Sequence, residues 1–257
     1  MAIHPTAVVA QGAEIDPTAE IGPYAVIGPH VKLGPSVWVG PHAVVEGRTT
    51  VGAHTKIFQF ASVGAQPQDL KYAGEPTRLE IGQHNQIREF TTFHIGTDGG
   101  GGLTKIGDKN LFMAYSHVAH DVHMGNGCVL ANCATLAGHV TLEDHVTMGG
   151  LSAAHQFTRI GKYAFIGGGS MVTMDIPPFC TAQGDRAELT GLNTVGLTRH
   201  GFTDEQVKRV KSAYRTVFRS KLGLREALAK VRAQHPNAPE VEHFVRFIEG
   251  SERGVAR

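Results

Sequence analysis

Cysteine is scarce in this chain. Cys128, Cys133 and Cys180 are an odd set without Cys-x-x-Cys spacing in 257 residues. No disulfide framework follows from them, and they read as small apolar fillers in a reducing compartment. Long apolar runs are missing too. None approaches the 18 residues of a membrane span, and no charged-then-apolar leader opens the sequence. A cytoplasmic protein without membrane insertion is therefore expected. Net charge is close to nil at +1, and no nucleic-acid motif is recognisable, so nucleic acid is not an expected partner. The small total hides a segregation: residues 1–198 carry 11 Lys/Arg against 16 Asp/Glu, and residues 199–257 carry 13 against 7. A basic tail on an acidic body suits an acidic partner; a solvated helical face accounts for it equally well.

What the chain has in abundance is a period of six. From Ala2 the second position of successive hexads is Ile3, Val9, Ile15, Ile21, Ile27, Leu33, Val39, Val45, Val51, Ile57 and Val63. A short train follows at Ile81, Ile87 and Phe93, then a long one from Ile106 and Phe112 to Ile166 and Val172. Helices need apolar spacings of three and four, half-buried strands a spacing of two. Six fits a short strand that turns a corner and starts again, the signature of a parallel β-helix. Three hexads close one triangular coil, so residues 18 apart sit on adjacent coils about 4.8 Å apart. Gly22-Pro23, Gly28-Pro29 and Gly34-Pro35 follow inward residues, where Gly admits positive φ and Pro pre-sets φ for a corner.

Residues 64–78 and 98–104 break the repeat and are expected as loops. The first carries many functional groups, and loops on a rigid scaffold are where binding residues tend to sit. The second, Asp-Gly-Gly-Gly-Gly-Leu-Thr, lacks the Lys-Ser/Thr of a phosphate-binding P-loop and reads as a mobile loop. After residue 201 the period changes. Thr203 and Gln206 form a capping box, with Val207, Val210, Tyr214, Val217 and Phe218 at helical spacing. Two further amphipathic stretches follow, around Leu228 and around Phe244. The organisation expected is an all-β parallel β-helix over 1–184, a connector over 185–201, and a small α-helical C-terminal cap over 202–257.

Fifteen histidines is a high count, and six cluster between residues 117 and 155. The 18-residue rule places His120, Gly138 and Gln156 in one column and Asp121, His139 and Phe157 in the next. One face then presents an imidazole, a neighbouring carboxylate, an amide and a glycine with an unobstructed N–H. Those are the parts of general-base acyl transfer: a base for a hydroxyl proton, a group fixing its tautomer, and a donor for the oxyanion. No Ser or Cys adjoins His120, which favours direct attack by a bound alcohol over an acyl-enzyme. Two other readings stand beside this one. His117, His120, His123 and His139 could be metal ligands, as in the hexapeptide-repeat carbonic anhydrases, or the histidines could be structural.

Several motifs sharpen the choice. Gln68-Asp69-Leu70-Lys71-Tyr72, His117-Val118-Ala119-His120-Asp121, Ala137-Gly138-His139-Val140 and His155-Gln156-Phe157 resemble those of the UDP-N-acetylglucosamine 3-O-acyltransferases of lipid A biosynthesis. The resemblance runs through the whole chain, including Arg199-His200-Gly201-Phe202 and the closing Arg253–Arg257. It implies a left-handed coil, a homotrimer with sites between neighbouring prisms, no metal and no cofactor. The substrates implied are 3-hydroxyacyl–acyl carrier protein and UDP-N-acetylglucosamine. By motif, His120 would be the base, Asp121 its orienting partner and Gly138 the oxyanion donor. Asp69 would bind the glucosamine, with Gln68 and Lys71 beside it. His94, His117, His139, His155 and Gln156 would line the cleft. Asn193 and Arg199 would meet the nucleotide, and Gly168 would leave room for the acyl tail. Four positions depart from the family pattern: Ile95, Val195, His200 and Arg186 stand where it often has Arg, Glu, Arg and His. These bear on nucleotide and acyl binding, not on the reaction.

Three rival readings differ in what they require of the sequence. The sister N-acyltransferase carries an additional N-terminal uridine-binding domain, for which hexads starting at residue 2 leave no space. A coenzyme A-dependent acetyltransferase would take a short acyl donor. A non-catalytic scaffold would place Leu, Val and Thr where this chain has His, Asp, Gln and Lys.

Overall fold

Most hexads supply a two-residue strand and a turn, and the second strand residue faces inward. In the computed structural model, which describes residues 2–257, the strands line up as sheets of 11, nine and eight strands. These sheets are the three faces of a left-handed parallel β-helix. The register confirms the offset of 18, with Val8 opposite Val26, His117 opposite Thr135 and Thr147 opposite Phe165. Inward residues such as Ile27, Val45, Leu130 and Leu136 are fully buried. Ile3, in the first described strand, is 36% exposed.

The offset widens twice. It is 30 between Arg48 and Arg78 and 25 between Arg78 and Leu103. Both excesses leave the nine-stranded sheet and re-enter the eight-stranded one, so both insertions emerge from one edge of the prism. The insertions are shorter than the sequence suggests. Residues 64, 65 and 78 belong to the strands Ser62–Ala65 and Arg78–Ile81, and 103 and 104 to Leu103–Ile106. Pairing extends into the loop stems because consecutive coils can satisfy those backbone groups there.

The corners correct a sequence expectation. Gly22, Gly28 and Gly34 are not the positive-φ residues; Tyr24, Ser36 and His42 are, near +55° to +57°. Glycine is favoured at position 22 for closeness instead, since a Cβ there would meet Pro41 N and Val39 O of the next coil at 3.0 Å. The left-handed corner residues carry side chains that stack along the prism edge. Tyr24, His42, Phe60, Phe90 and Tyr115 form one ladder with ring centroids 4.9 to 5.3 Å apart. Such contacts offset the backbone cost of a non-glycine in that region.

The segment expected as a connector holds ordered structure. Glu188–Leu192 pairs antiparallel with Cys180–Gln183, and helix α1 (Thr194–Arg199) follows. Three longer helices form the cap: α2 (Asp204–Phe218), α3 (Leu224–Gln234) and α4 (Pro239–Glu249). The Thr203–Gln206 capping box opens α2, and Val210, Val231, Phe244 and Val245 are buried where the helices meet. The chain then returns to the last coil, with Ala256 N–H donating to Asp175 O at 2.9 Å. No helix among the described residues is long and apolar enough to cross a membrane.

Candidate active site

The edge that bears the two insertions continues, one coil at a time, as His120-Asp121, Gly138-His139 and Gln156-Phe157. Asp121 and His139 are left-handed corner residues at φ 59° and 61°, which turns their side chains along the edge. His120 and Gly138 precede them in the same corners. The His120 imidazole lies over the Gly138 Cα, where a Cβ would stand within 2.5 to 3.1 Å of three of its ring atoms. Glycine is required there by contact with the ring.

Asp121 is 5% exposed, and both its carboxylate oxygens are occupied. Oδ1 accepts from Thr97 N–H at 2.9 Å, and Oδ2 from the Thr97 hydroxyl at 2.6 Å. His120 Nδ1 lies 2.8 Å from Oδ2. A carboxylate accepts only, so the imidazole proton is on Nδ1 and Nε2 carries a lone pair. The His120 side chain is 15% exposed. Its free nitrogen is therefore an acceptor on a partly open edge.

Burial shifts the neighbouring imidazoles toward the neutral form. Burial lowers His94 from 6.5 to about 4, with His117 and His120 adding to the effect. Burial lowers His117 as well, aided by His120, and its Nδ1 sits 2.7 Å from Thr92 Oγ1. His139 stacks on Phe157 at 4.3 Å; burial lowers it, opposed by the Asp121 carboxylate. The Asp69 carboxylate, on the first insertion, also opposes that lowering. Gln68 and Lys71 are exposed on that loop, and Lys71 N–H closes a turn onto Asp69 Oδ1 at 2.9 Å. His155 and Gln156 are exposed one coil beyond Gly138, and the Arg253 guanidinium reaches His155 Nδ1 at 3.3 Å.

Two alternative chemistries fit less well. His120, Asp121 and His139 present ligand atoms within 4.8 Å of one another. Asp121 is buried and already accepts twice from Thr97 and once from His120, so the cluster's readily available donors are two nitrogens, where a catalytic zinc uses three protein ligands. Cys128 and Cys180 are poor thiol nucleophiles, since burial pushes Cys128 up to about 12 and raises Cys180 as well.

Comparison with known proteins shows the family. Residues 175–256 match the family model described as UDP-N-acetylglucosamine O-acyltransferase, domain 2, and residues 103–138 match the bacterial transferase hexapeptide model. The acyl-[acyl-carrier-protein]–UDP-N-acetylglucosamine O-acyltransferase of Anaeromyxobacter dehalogenans is 57% identical over 257 residues, the whole of both chains. That of Myxococcus xanthus is 62% identical over 200 residues, 78% of each. This chain belongs to the UDP-N-acetylglucosamine O-acyltransferase family. A solved family structure from Acinetobacter baumannii superposes with a TM-score of 0.97 at 41% identity, each chain covered fully.

A single chain does not gather every family-motif residue. Gly168 is at another edge, where the 11- and nine-stranded sheets meet. Asn193 caps α1 by accepting from Gly196 N–H at 3.0 Å and donating to Tyr163 O at 3.0 Å, so its amide has a structural task. Arg199 is exposed at the end of α1, at the third edge. Of the departures from the family pattern, Ile95 is buried and Val195 and Arg186 are exposed. His200 packs on His145 at 4.5 Å and Tyr163 at 5.1 Å. Thr97 and Thr104, which hold Asp121, escaped the sequence reading. The only signal was their place on either side of the glycine run.

Proposed function

We propose that this chain transfers a 3-hydroxyacyl group from acyl carrier protein to the 3-hydroxyl of UDP-N-acetylglucosamine, the first step of lipid A biosynthesis. The observation that carries the mechanism is His120, tied through Nδ1 to Asp121 and lying over Gly138 with Nε2 free. Nε2 takes the proton of the sugar hydroxyl as its oxygen attacks the thioester carbonyl carbon. Asp121 stabilises the imidazolium that forms. Gly138 N–H, which has no acceptor among the described residues, donates to the oxyanion. The tetrahedral adduct collapses, the carbon–sulfur bond breaks, and the imidazolium returns its proton to the departing thiolate.

Gln68, Asp69 and Lys71 would hold the sugar, and His94, His117, His139, His155 and Gln156 would shape the cleft. Gly168, Asn193 and Arg199 are separated from His120 by whole faces of the prism, so they complete a site only if supplied by a neighbouring copy. A homotrimer with sites between prisms meets that requirement, and a C3 ring closes without exposed interfaces. A cytoplasmic location suits an acyl carrier donor and three free thiols.

Purified protein incubated with UDP-N-acetylglucosamine and carrier proteins bearing 3-hydroxyacyl chains of graded length tests this reading. Formation of the 3-O-acyl sugar nucleotide, with short acyl donors poorly used, is the expected result. Acetyl transfer from coenzyme A, or acylation only of an amino sugar, would replace it with one of the rivals.

A further inference from the structure

The glycine-rich insertion has no task in that mechanism, although it leaves the prism at the edge that bears His120. Both its stems are tied. Gly96 N–H donates to Arg78 O at 3.1 Å, Arg78 N–H to Gly102 O at 3.0 Å, and the Thr77 hydroxyl to Gly96 O at 2.5 Å. Inside, Thr97 O accepts from Gly100 N–H at 3.1 Å and Gly102 N–H at 2.8 Å, which folds Asp98–Gly100 into one 3-10 turn. The expected mobile loop is thus a pinned turn, and the group it encloses is Asp121.

We infer that Thr97 is a positioning residue for acyl transfer, with the glycine run as the clamp that brings it onto Asp121. A carboxylate's terminal torsion is soft and roughly two-fold, so one hydrogen bond to His120 would leave its plane free to swing. Thr97 removes that freedom by donating its N–H to Oδ1 and its hydroxyl to Oδ2. Thr104 Oγ1 fixes the other end by accepting Asp121 N–H at 2.8 Å. Thr97 is 7% exposed and Thr104 fully buried, so water does not compete for these bonds. Gly100 serves closeness: a Cβ there would fall on the Asp121 carboxylate, so any other residue would lift the turn away. The Asp121 orientation is then passed through Nδ1 to the imidazole and sets where Nε2 points. A general base works only within hydrogen-bond reach of its proton, and small misplacements cost large factors in rate.

The inference rests on His120 as the base, and the test separates the two. Thr97→Val removes the hydroxyl and keeps the branched shape and the N–H; Thr97→Ser keeps the hydroxyl. In the full-length enzyme, Thr97→Val should lower kcat roughly 10- to 100-fold. Both KM values and the melting temperature should stay near wild type, and Thr97→Ser should restore most of the rate. Gly100→Ala should show the same loss in kcat at unchanged KM, which keeps the clamp testable if Thr97→Val fails to fold. Wild-type kcat in Thr97→Val, beside an inactive His120→Ala control, overturns the clamp and leaves the base assignment standing. Equal losses in Val and Ser variants also overturn it, because the hydroxyl would then not be the operative group. An active His120→Ala overturns the reading beneath it.

Discussion

At the scale of single residues, the proposed base needs one imidazole tautomer. Asp121→Asn keeps the shape but places an amide where His120 Nδ1–H needs an acceptor. Turnover should fall by about two orders of magnitude or more with little change in melting temperature. Steady-state kinetics beside a thermal melt measures both, and an Asn variant as fast as wild type would contradict the orienting role. His94 gives a pH prediction. The unfolded chain protonates it near 6.5, whereas the native chain does so only near 4. Native stability is therefore full above pH 6.5 and falls as pH drops toward 4, by roughly 3 kcal/mol from this group. Denaturation curves across that range should show a smaller loss in His94→Leu, which cannot titrate. An equal loss would mean that the buried imidazole is not responsible.

Element by element, legibility followed the strength of the repeat. Inward apolar residues at period six specify a three-sided coil and which residues fill it, so Ile21 and Leu136 could be placed from sequence, whereas the hand of the coil could not. Leu136 is fully buried, and Leu136→Ala should cost about 2–5 kcal/mol of stability, read by denaturant unfolding. The capping box was legible for the same local reason, and losing it in Thr203→Ala should cost about 1 kcal/mol. Corner geometry was not legible. A glycine after an inward residue looks like a turn signal, yet at Gly22 it serves contact between coils, and Tyr24 takes the positive φ because stacking supports it. Within the site, His120, Asp121 and Gly138 could be aligned by the 18-residue offset because no insertion separates them. Thr97 could not, since the glycine run interrupts the count just where the contact to Asp121 is made.

At the scale of the whole molecule, motif residues lie on three edges of one prism, and symmetry is what would join them. Sedimentation should report a trimer, and an active monomer would contradict the shared-site reading. The basic cap adds a second expectation. Arg209 is already paired with Glu240 at 2.6 Å and Glu205 at 2.7 Å, so it is not free for a partner. Lys208, Lys211, Arg215 and Lys221 remain exposed. Exposed charges are screened beyond about 10 Å at 0.1 M salt, and rim charges act mainly on association rate. Reversing these four should raise KM for the acyl carrier substrate at low salt and leave KM for the sugar nucleotide unchanged. Normal use of the carrier by that variant would assign the charges to solubility alone.

The most direct test of the central claim is the turnover of His120→Ala with UDP-N-acetylglucosamine and its best hydroxyacyl carrier donor, measured beside its melting temperature. A general base at His120 predicts a loss of roughly two to four orders of magnitude in a protein that melts like wild type. A variant that is folded and turns over at nearly the wild-type rate would contradict it.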